Sequence, residues 1–237
     1  MKFITYLSKL LFVIGIVAFL FSTNIRWASS SVYVYDFLFE ITKVEQTSEI
    51  PKQELMRGAK QIISYVDSAI EPLEVIIQVD GQDKQVYSER EVSHMKDVKE
   101  LFRKTYRVQE FAGIYLLLFS VVSFCRYRAK TFHNIAILFA MGGAATVCIV
   151  LLVGLSAVLI SFQEVFNIFH FISFDNDLWI LSPDTYLVRM YPYNFWLNAT
   201  FLIGLSTIIQ GVFIICISAI SFNQRRRVNS LTSSSKN

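Results

Sequence analysis

The amino-acid sequence predicts a mainly α protein, a four-helix transmembrane bundle with a small extracellular, mostly helical cap that contains a short β-hairpin. Three observations predict it. The 237 residues are 54% hydrophobic and only 17% charged, with a mean hydropathy of +0.46, whereas soluble domains carry about a quarter charged residues. The chain holds four long stretches without a charge, of the kind that crosses a bilayer as helix. The charges between those stretches are sorted by sign, which orients the bundle.

Taken in order, residues 1–25 form the first transmembrane helix. Leu10–Ile25 is uncharged, and Lys2 and Lys9 can snorkel at its near end. A cleaved signal peptide over Met1–Phe21 is the rival reading, tempted by Ala28-Ser29-Ser30; Asn24-Ile25-Arg26-Trp27 is unlike a cleavage region, so the span is retained. Residues 26–110 form the extracellular cap, at roughly 85 residues too long for a connector. Residues 111–125 are the second span, 126–134 a cytoplasmic loop, and 135–162 the third span. Residues 163–194 are an outer loop, 195–222 the fourth span, and 223–237 a cytoplasmic tail.

With both termini inside, the inner segments hold nine basic residues (Lys2, Lys9, Arg126, Arg128, Lys130, Arg225, Arg226, Arg227 and Lys236) and no acidic one. The outer segments hold the other 13 basic residues and all 19 acidic ones, so the net +3 is made of +9 inside and −6 outside. Lys and Arg concentrate on the cytoplasmic side of membrane proteins, which places the chain in the cell membrane as a multi-pass protein. A net charge this small gives no reason to expect a nucleic-acid partner.

Within the cap, Pro51 opens a helical pattern, with Leu55, Ala59, Ile62, Ile63 and Val66 on one face. Leu73–Val79 reads as a strand, Asp80-Gly81 as a hairpin turn, and Lys84–Tyr87 as the return. Ser88-Glu89-Arg90-Glu91 is a capping box opening a helix through Glu100 and Phe102. Such a cap buries little core alone. Cys125, Cys148 and Cys216 lie outside the outer loops, so they read as buried small hydrophobes rather than a disulfide framework. The sequence has no Gly-rich phosphate loop, CxxC pair or internal repeat, and the sequon Asn198-Ala199-Thr200 sits at the start of a span, where it carries no weight.

Only three histidines are present. His133, at the inner end of the third span, reads as interfacial. His94 and His170 both fall on the outer face, one in each loop. His94 has Arg90 at i−4, Glu91 at i−3 and Asp97 at i+3, all on neighbouring helix positions, and a carboxylate beside an imidazole raises its basicity. His170 precedes Asp175 and Asp177. A surface His near acids is more often a solvated residue than a catalyst, and Tyr186, Tyr191, Tyr193 and Trp196 read first as an aromatic belt. Two outer His without HxH or HxxxH spacing and without an outer Cys make a poor metal site, and no GxSxG elbow marks a Ser hydrolase.

Two stretches resemble one known family. Glu89-Arg90-Glu91-Val92-Ser93-His94-Met95-Lys96-Asp97-Val98-Lys99 is similar to the "rE-(I/V)-x-HM-x-DVK" block of the lipoprotein intramolecular transacylases. Phe174-Asp175-Asn176-Asp177-Leu178-Trp179-Ile180-Leu181-Ser182-Pro183 is similar to their "F-x-NDLWLL-x-P" block. Asp175 stands where a small polar residue is common and Ser182 where Asp is common. The resemblance implies an acyltransferase of the cell membrane, of a kind found mainly in low-GC Gram-positive bacteria. It would move the sn-2 acyl chain of a diacylglyceryl-cysteine lipoprotein onto the α-amine of that same Cys, leaving an N-acyl lyso-form. It implies His94 and His170 as the essential pair, and Arg90, Glu91, Met95, Asp97, Phe174, Asn176, Asp177 and Trp179 as substrate-binding or positioning groups. Partners are then diacylglyceryl-modified lipoproteins and membrane lipid, with no cofactor and no metal. A membrane lipid or lipoprotein ester hydrolase, and a non-catalytic membrane scaffold, are the alternatives. A transporter fits poorly, because the third and fourth spans offer no charge to line a path.

The chemistry agrees with that implication. Donor and acceptor share one molecule, so the main task is to fold the lipid head into a cyclic near-attack geometry. An α-amine with pKa of about 7.8 is partly neutral at pH 7, and an imidazole is suited to carry its proton to the leaving oxygen. His94 lies 17 residues before Phe111, about 25 Å along a straight helix. The sequence therefore predicts that this helix lies near the membrane plane and bends or breaks between Lys104 and Gly113.

Overall fold

A computed structural model of the chain describes the backbone of residues 2–127 and 129–234, with side chains over 5–126 and 134–221. His133, Arg128, Lys130 and Arg225–Arg227 lie outside the residues whose side chains are described. The order of elements is α1 (Lys2–Ser30), α2 (Val32–Ile41), α3 (Val44–Ser48), α4 (Lys52–Asp67), β1 (Ile76–Val79), β2 (Gln82–Gln85), α5 (Glu89–Tyr127), α6 (Ala129–Leu159), α7 (Phe162–Ser173), α8 (Tyr186–Met190) and α9 (Tyr193–Ser234). Four helices are long and apolar enough to cross a membrane, over Thr5–Ser30, Glu89–Arg126, Asn134–Leu159 and Tyr193–Ser221. The fold is the mainly α, four-span architecture with a small hairpin that the sequence predicts.

The chain divides into two compact units. The first takes the chain up to Asn24, Arg107–Gly154, and Gly204 onward. Phe12, Ile16, Leu20 and Leu138 are buried there, with Phe119 and Phe139 against Phe12 at ring separations of 4.7 and 5.1 Å. In lipid, burial of apolar surface does not by itself hold helices together, and small residues and interhelical hydrogen bonds take over. Both are present. A Cβ on Gly143 would stand 2.7 Å from the Gly211 carbonyl oxygen, so α6 and α9 meet backbone to backbone. Asn24 and Gln210 exchange hydrogen bonds of 2.9 and 3.2 Å, and Gln109 donates to Thr23 Oγ1 at 2.9 Å.

The second unit takes Ile25–Tyr106 and Leu155–Ile203, so the segment after the third span folds with the cap rather than beside it. Its core joins Val34, Leu38 and Phe39 of α2 to Leu55, Ala59, Ile62 and Val66 of α4 and to Val75, Ile77, Leu187, Met190 and Phe195. This is how a cap too small to bury much core alone obtains one. The expected hairpin is present: Val79 pairs with Gln82 across Asp80 and Gly81, at φ of 56° and 76°. Such left-handed angles define the tight turn that Asp-Gly favours. The outer edge of β1 is closed by α4. Gln61 accepts from Ile76 N at 3.0 Å and donates to Ile76 O at 2.9 Å, while Glu54 accepts from Gln78 N at 2.7 Å. A two-stranded ribbon is marginal in water, and these side chains take the place of a third strand.

Several expectations need correction. α5 runs unbroken from Glu89 to Tyr127, so no break falls between Lys104 and Gly113. That stretch, Lys-Thr-Tyr-Arg-Val-Gln-Glu-Phe-Ala-Gly, has no proline, and its single glycine costs a helix only about 1 kcal/mol. α6 stops at Leu159, short of residue 162, because Ser161 (φ 115°) caps a new helix by accepting from Glu164 N at 3.3 Å. Cys125, Cys148 and Cys216 are exposed on their helices, among the exposed apolar side chains of Phe124, Ile149 and Ile217, and are not buried. Tyr191 is core rather than belt, packed on Tyr35, Phe39 and Phe195.

Candidate active site

The first element of the site is the start of α5. Glu91 carries out the capping box, its Oε2 accepting from Ser88 N at 2.8 Å and Ser88 Oγ at 2.7 Å. Its other oxygen accepts from Leu187 N at 2.8 Å, which ties α8 to α5. Glu91 therefore builds the site rather than facing His94. Met95 is buried in the core, and the next turn fixes Lys99, whose Nζ donates to Ile70 O at 2.7 Å and Glu71 at 3.0 Å and sits 3.9 Å from the Tyr65 ring centroid. These ties hold the face of α5 that presents His94.

The second element is α7, in a stretch that the sequence predicts as loop. Its signal was available: Ser161-Phe162-Gln163-Glu164 is a second S-x-x-E capping box. α7 ends just after His170, and Phe174 N closes it by donating to His170 O. The His170 imidazole Nδ1 lies 2.8 Å from Phe166 O, one turn back. A carbonyl only accepts, so Nδ1 carries the proton, and Nε2 of the neutral ring carries the lone pair.

The two histidines stand together, ring centroids 6.1 Å apart and both more than nine-tenths buried. Phe174 touches both rings, at 5.3 Å from His94 and 5.6 Å from His170. Phe166 at 4.1 Å and Trp179 at 5.1 Å complete an aromatic wall around His170. His94 Nδ1 is buried without a hydrogen-bond partner. Leaving such a group unmet costs roughly 1–3 kcal/mol, and persistent cases gather at functional sites.

His94 lies in the charged first half of α5, outside the uncharged stretch Phe111–Cys125, and His170 lies on α7, outside the four apolar helices. Burial pushes the His94 imidazole down to about 4; the His170 ring and Arg90 add to the fall, and Asp97 opposes it. Burial also lowers His170, opposed by its bond to the Phe166 carbonyl. The sequence predicts that a nearby carboxylate raises His94. Desolvation outweighs it, because Asp97 hydrogen-bonds Asn176 Nδ2 at 2.9 Å and is only half-buried itself. Arg90 likewise donates to the Asp177 carbonyl. Asp177 and Asn176 are exposed on the turn after α7, with Trp179 half-buried behind them.

Among the described residues, no group of three His, Cys, Asp or Glu side chains is placed to share a metal ion. Fold and site together define an integral membrane protein built around a candidate acid–base pair of imidazoles, walled by aromatic rings. A sequence model of one family, the lipoprotein intramolecular transacylase Lit, matches residues 10–196. The chain belongs to this family of acyltransferases. Its fold is similar to that of the membrane-integral transacylase Lit from Bacillus cereus, with a TM-score of 0.76 over 96% of this chain and 100% of that one at 17% identity. The same protein carrying a His→Ala replacement superposes with a TM-score of 0.75, over 95% of this chain and 97% of that one at 17% identity. An uncharacterized protein of Aquifex aeolicus (strain VF5) is 26% identical over 165 residues, a match spanning 67% of this chain and 66% of that protein, just under two thirds.

Proposed function

We propose that this protein moves the sn-2 acyl chain of a diacylglyceryl-cysteine lipoprotein onto the α-amine of the same cysteine, with His94 and His170 as the acid–base pair on the extracellular face. The observation that carries the reading is the meeting of the two histidines in one buried, aromatic-walled place, with His94 Nδ1 unpartnered and His170 Nδ1 held by the Phe166 carbonyl so that its Nε2 carries the lone pair. The amine nitrogen attacks the ester carbonyl carbon, the C–N bond forms, the C–O bond to glycerol breaks, and the amine proton passes to the glycerol oxygen. An ester becomes an amide and an alcohol is freed, so no cofactor or acyl-enzyme is needed for balance.

The hydrogen bond from Nδ1 to Phe166 O supports His170 as the proton acceptor, because that bond strengthens when Nε2 gains a proton. His94, held neutral by burial, is suited to hydrogen-bond the oxyanion or the leaving oxygen. Aromatic walls and a water-poor setting suit intramolecular attack, since water would compete for the same carbonyl. The +9 and −6 split of charge supports cytoplasmic termini and an outer site.

The test is incubation of the purified protein with a diacylglyceryl lipopeptide, with acyl position read by tandem mass spectrometry. Unchanged mass with the acyl group on nitrogen is the expected result. Release of free fatty acid would make the protein a lipid hydrolase instead, and no change at all would leave a scaffold.

The pH profile gives a second test. His94, with its pKa depressed from 6.5 to about 4, stays neutral through mildly acid pH. The rise of kcat/KM with pH should follow the substrate amine, near 7.8, without an inflection at 6.5. By linkage the same depression makes the folded state bind fewer protons than the unfolded one between pH 6.5 and 4. Its stabilising share is thus full above 6.5 and is lost progressively as pH falls to about 4. An activity inflection at 6.5 would mean solvated, not buried, imidazoles.

A further inference from the structure

On either side of His94, α5 sends one side chain across to the turn that follows α7. Arg90, one turn before His94, donates to the Asp177 carbonyl. Asp97, one turn after it, accepts from Asn176 Nδ2 at 2.9 Å. The two grip adjacent residues of one turn. That turn is closed on itself: Asn176 Oδ1 accepts from Leu178 N at 3.0 Å, and Asp177 O accepts from Ile180 N at 3.1 Å. Trp179 rides in the middle of it, its ring 5.1 Å from His170 and tilted by 36°.

We infer that Arg90 and Asp97 form a two-point clasp that sets the position of His170 relative to His94 through the Asn176–Ile180 turn and Trp179. They are positioning residues rather than contacts of the substrate. The inference rests on the proposed acyl transfer for its kinetic consequence but not for its structural one. Arg90 and Asp97 are the charged residues of α5 that act electrostatically on His94, yet both spend their hydrogen bonds on the turn rather than on the imidazole. Asn176 uses its amide nitrogen outward to Asp97 and its oxygen inward to Leu178 N, so it transmits the position of α5 to the turn backbone. Trp179 then converts the turn's position into the angle and place of an imidazole already pinned by Nδ1 to Phe166 O. One helix thus carries His94 itself and both handles on the wall of His170, so that the two rings are indexed to the same backbone. Misplacement of reacting groups by about 1 Å costs on the order of a hundredfold, so a clasp of two exposed hydrogen bonds acts on rate more than on stability.

Asn176→Asp removes the donor to Asp97 and sets two carboxylates face to face. Asp97→Asn combined with Asn176→Asp restores the pair in the opposite sense, and the new Asp side chain at 176 still accepts from Leu178 N. The expected result for the single change is a fall in kcat of about tenfold with KM altered less than about twofold. The double change returns kcat to within about threefold of the parent. A readout independent of activity is the 15N-histidine spectrum of the full-length protein in detergent, in which three histidines give few signals. The His170 resonances should shift in Asn176→Asp and in Arg90→Ala, and return in the double change, with His133 unmoved. Unmoved His170 resonances in both single variants, or no recovery in the double one, overturn the clasp. A rise in KM without loss of kcat also overturns it, because that marks direct substrate contact. If the parent fails to move an acyl chain, the reaction is wrong while the spectra still decide the clasp.

Discussion

Replacing His170 by alanine is expected to lower kcat for acyl transfer by about 10²- to 10⁴-fold, the range an acid–base group supplies. His94→Ala should fall in the same range. The two rings lie 6.1 Å apart and share Phe174 as a neighbour, so under the proposed acyl transfer they should act as one device. Groups that act as a unit are grossly non-additive, and the double variant should be no slower than the worse single one by more than about threefold. Single-turnover kinetics with a lipopeptide settles the matter. Two independent losses that multiply would mean that the histidines do not act as a unit, and a loss under tenfold in either would remove it from the chemistry. His94→Ala carries a control worth stating. It also removes a buried nitrogen without a partner, so its melting temperature should hold or fall only slightly even as activity disappears. Function and stability are set against one another at that atom.

The largest effect on folding is expected at Gly143. A methyl there meets the Gly211 carbonyl oxygen at 2.7 Å, a backbone atom on another spanning helix that no rotamer change can move aside. Gly143→Ala should destabilise the protein by about 2 kcal/mol, within the range of overpacking, and Gly143→Leu should prevent assembly of α6 on α9. Gly154→Ala on the same helix is the matched control, since nothing lies within 4 Å of the position a Cβ would take. There the gain in helix propensity, about 0.5–1 kcal/mol, should appear unopposed. Thermal unfolding in detergent compares the three. Equal melting temperatures for Gly143→Ala and Gly154→Ala would deny the close approach.

Much of this could be read from residue order. Four uncharged stretches, the Asp80-Gly81 turn, the Ser88–Glu91 capping box and the Leu55/Ala59/Ile62/Val66 face all fold as local chemistry dictates. These are short-range signals, and they survive because the competing tertiary terms agree with them. What failed did so for identifiable reasons. A break in α5 is expected from a distance rather than from a helix breaker, and no breaker is present. The apolar run continues through Ser161, so apolar content alone carries the third span to residue 162, although a capping box interrupts it. α2 carries a weak helical signal because aromatic residues recur at every second position, Tyr33, Tyr35, Phe37 and Phe39, as in a strand, while its buried face, Val34, Leu38 and Phe39, keeps helical spacing.

The site divides along the same line. Residue order by itself determined the class of protein, the charge asymmetry, and the two blocks holding His94 and His170, because composition and motif spacing are properties of the chain. Only tertiary structure decided that the two histidines, 76 positions apart in sequence, stand 6.1 Å apart. It also decided that Glu91 serves α8 rather than His94, and that desolvation outweighs the carboxylate at Asp97. The physical reason is that burial and hydrogen-bond partnership depend on what arrives from elsewhere in the chain. A side chain's identity says what it can donate or accept, and its neighbours in space fix which of those options it uses.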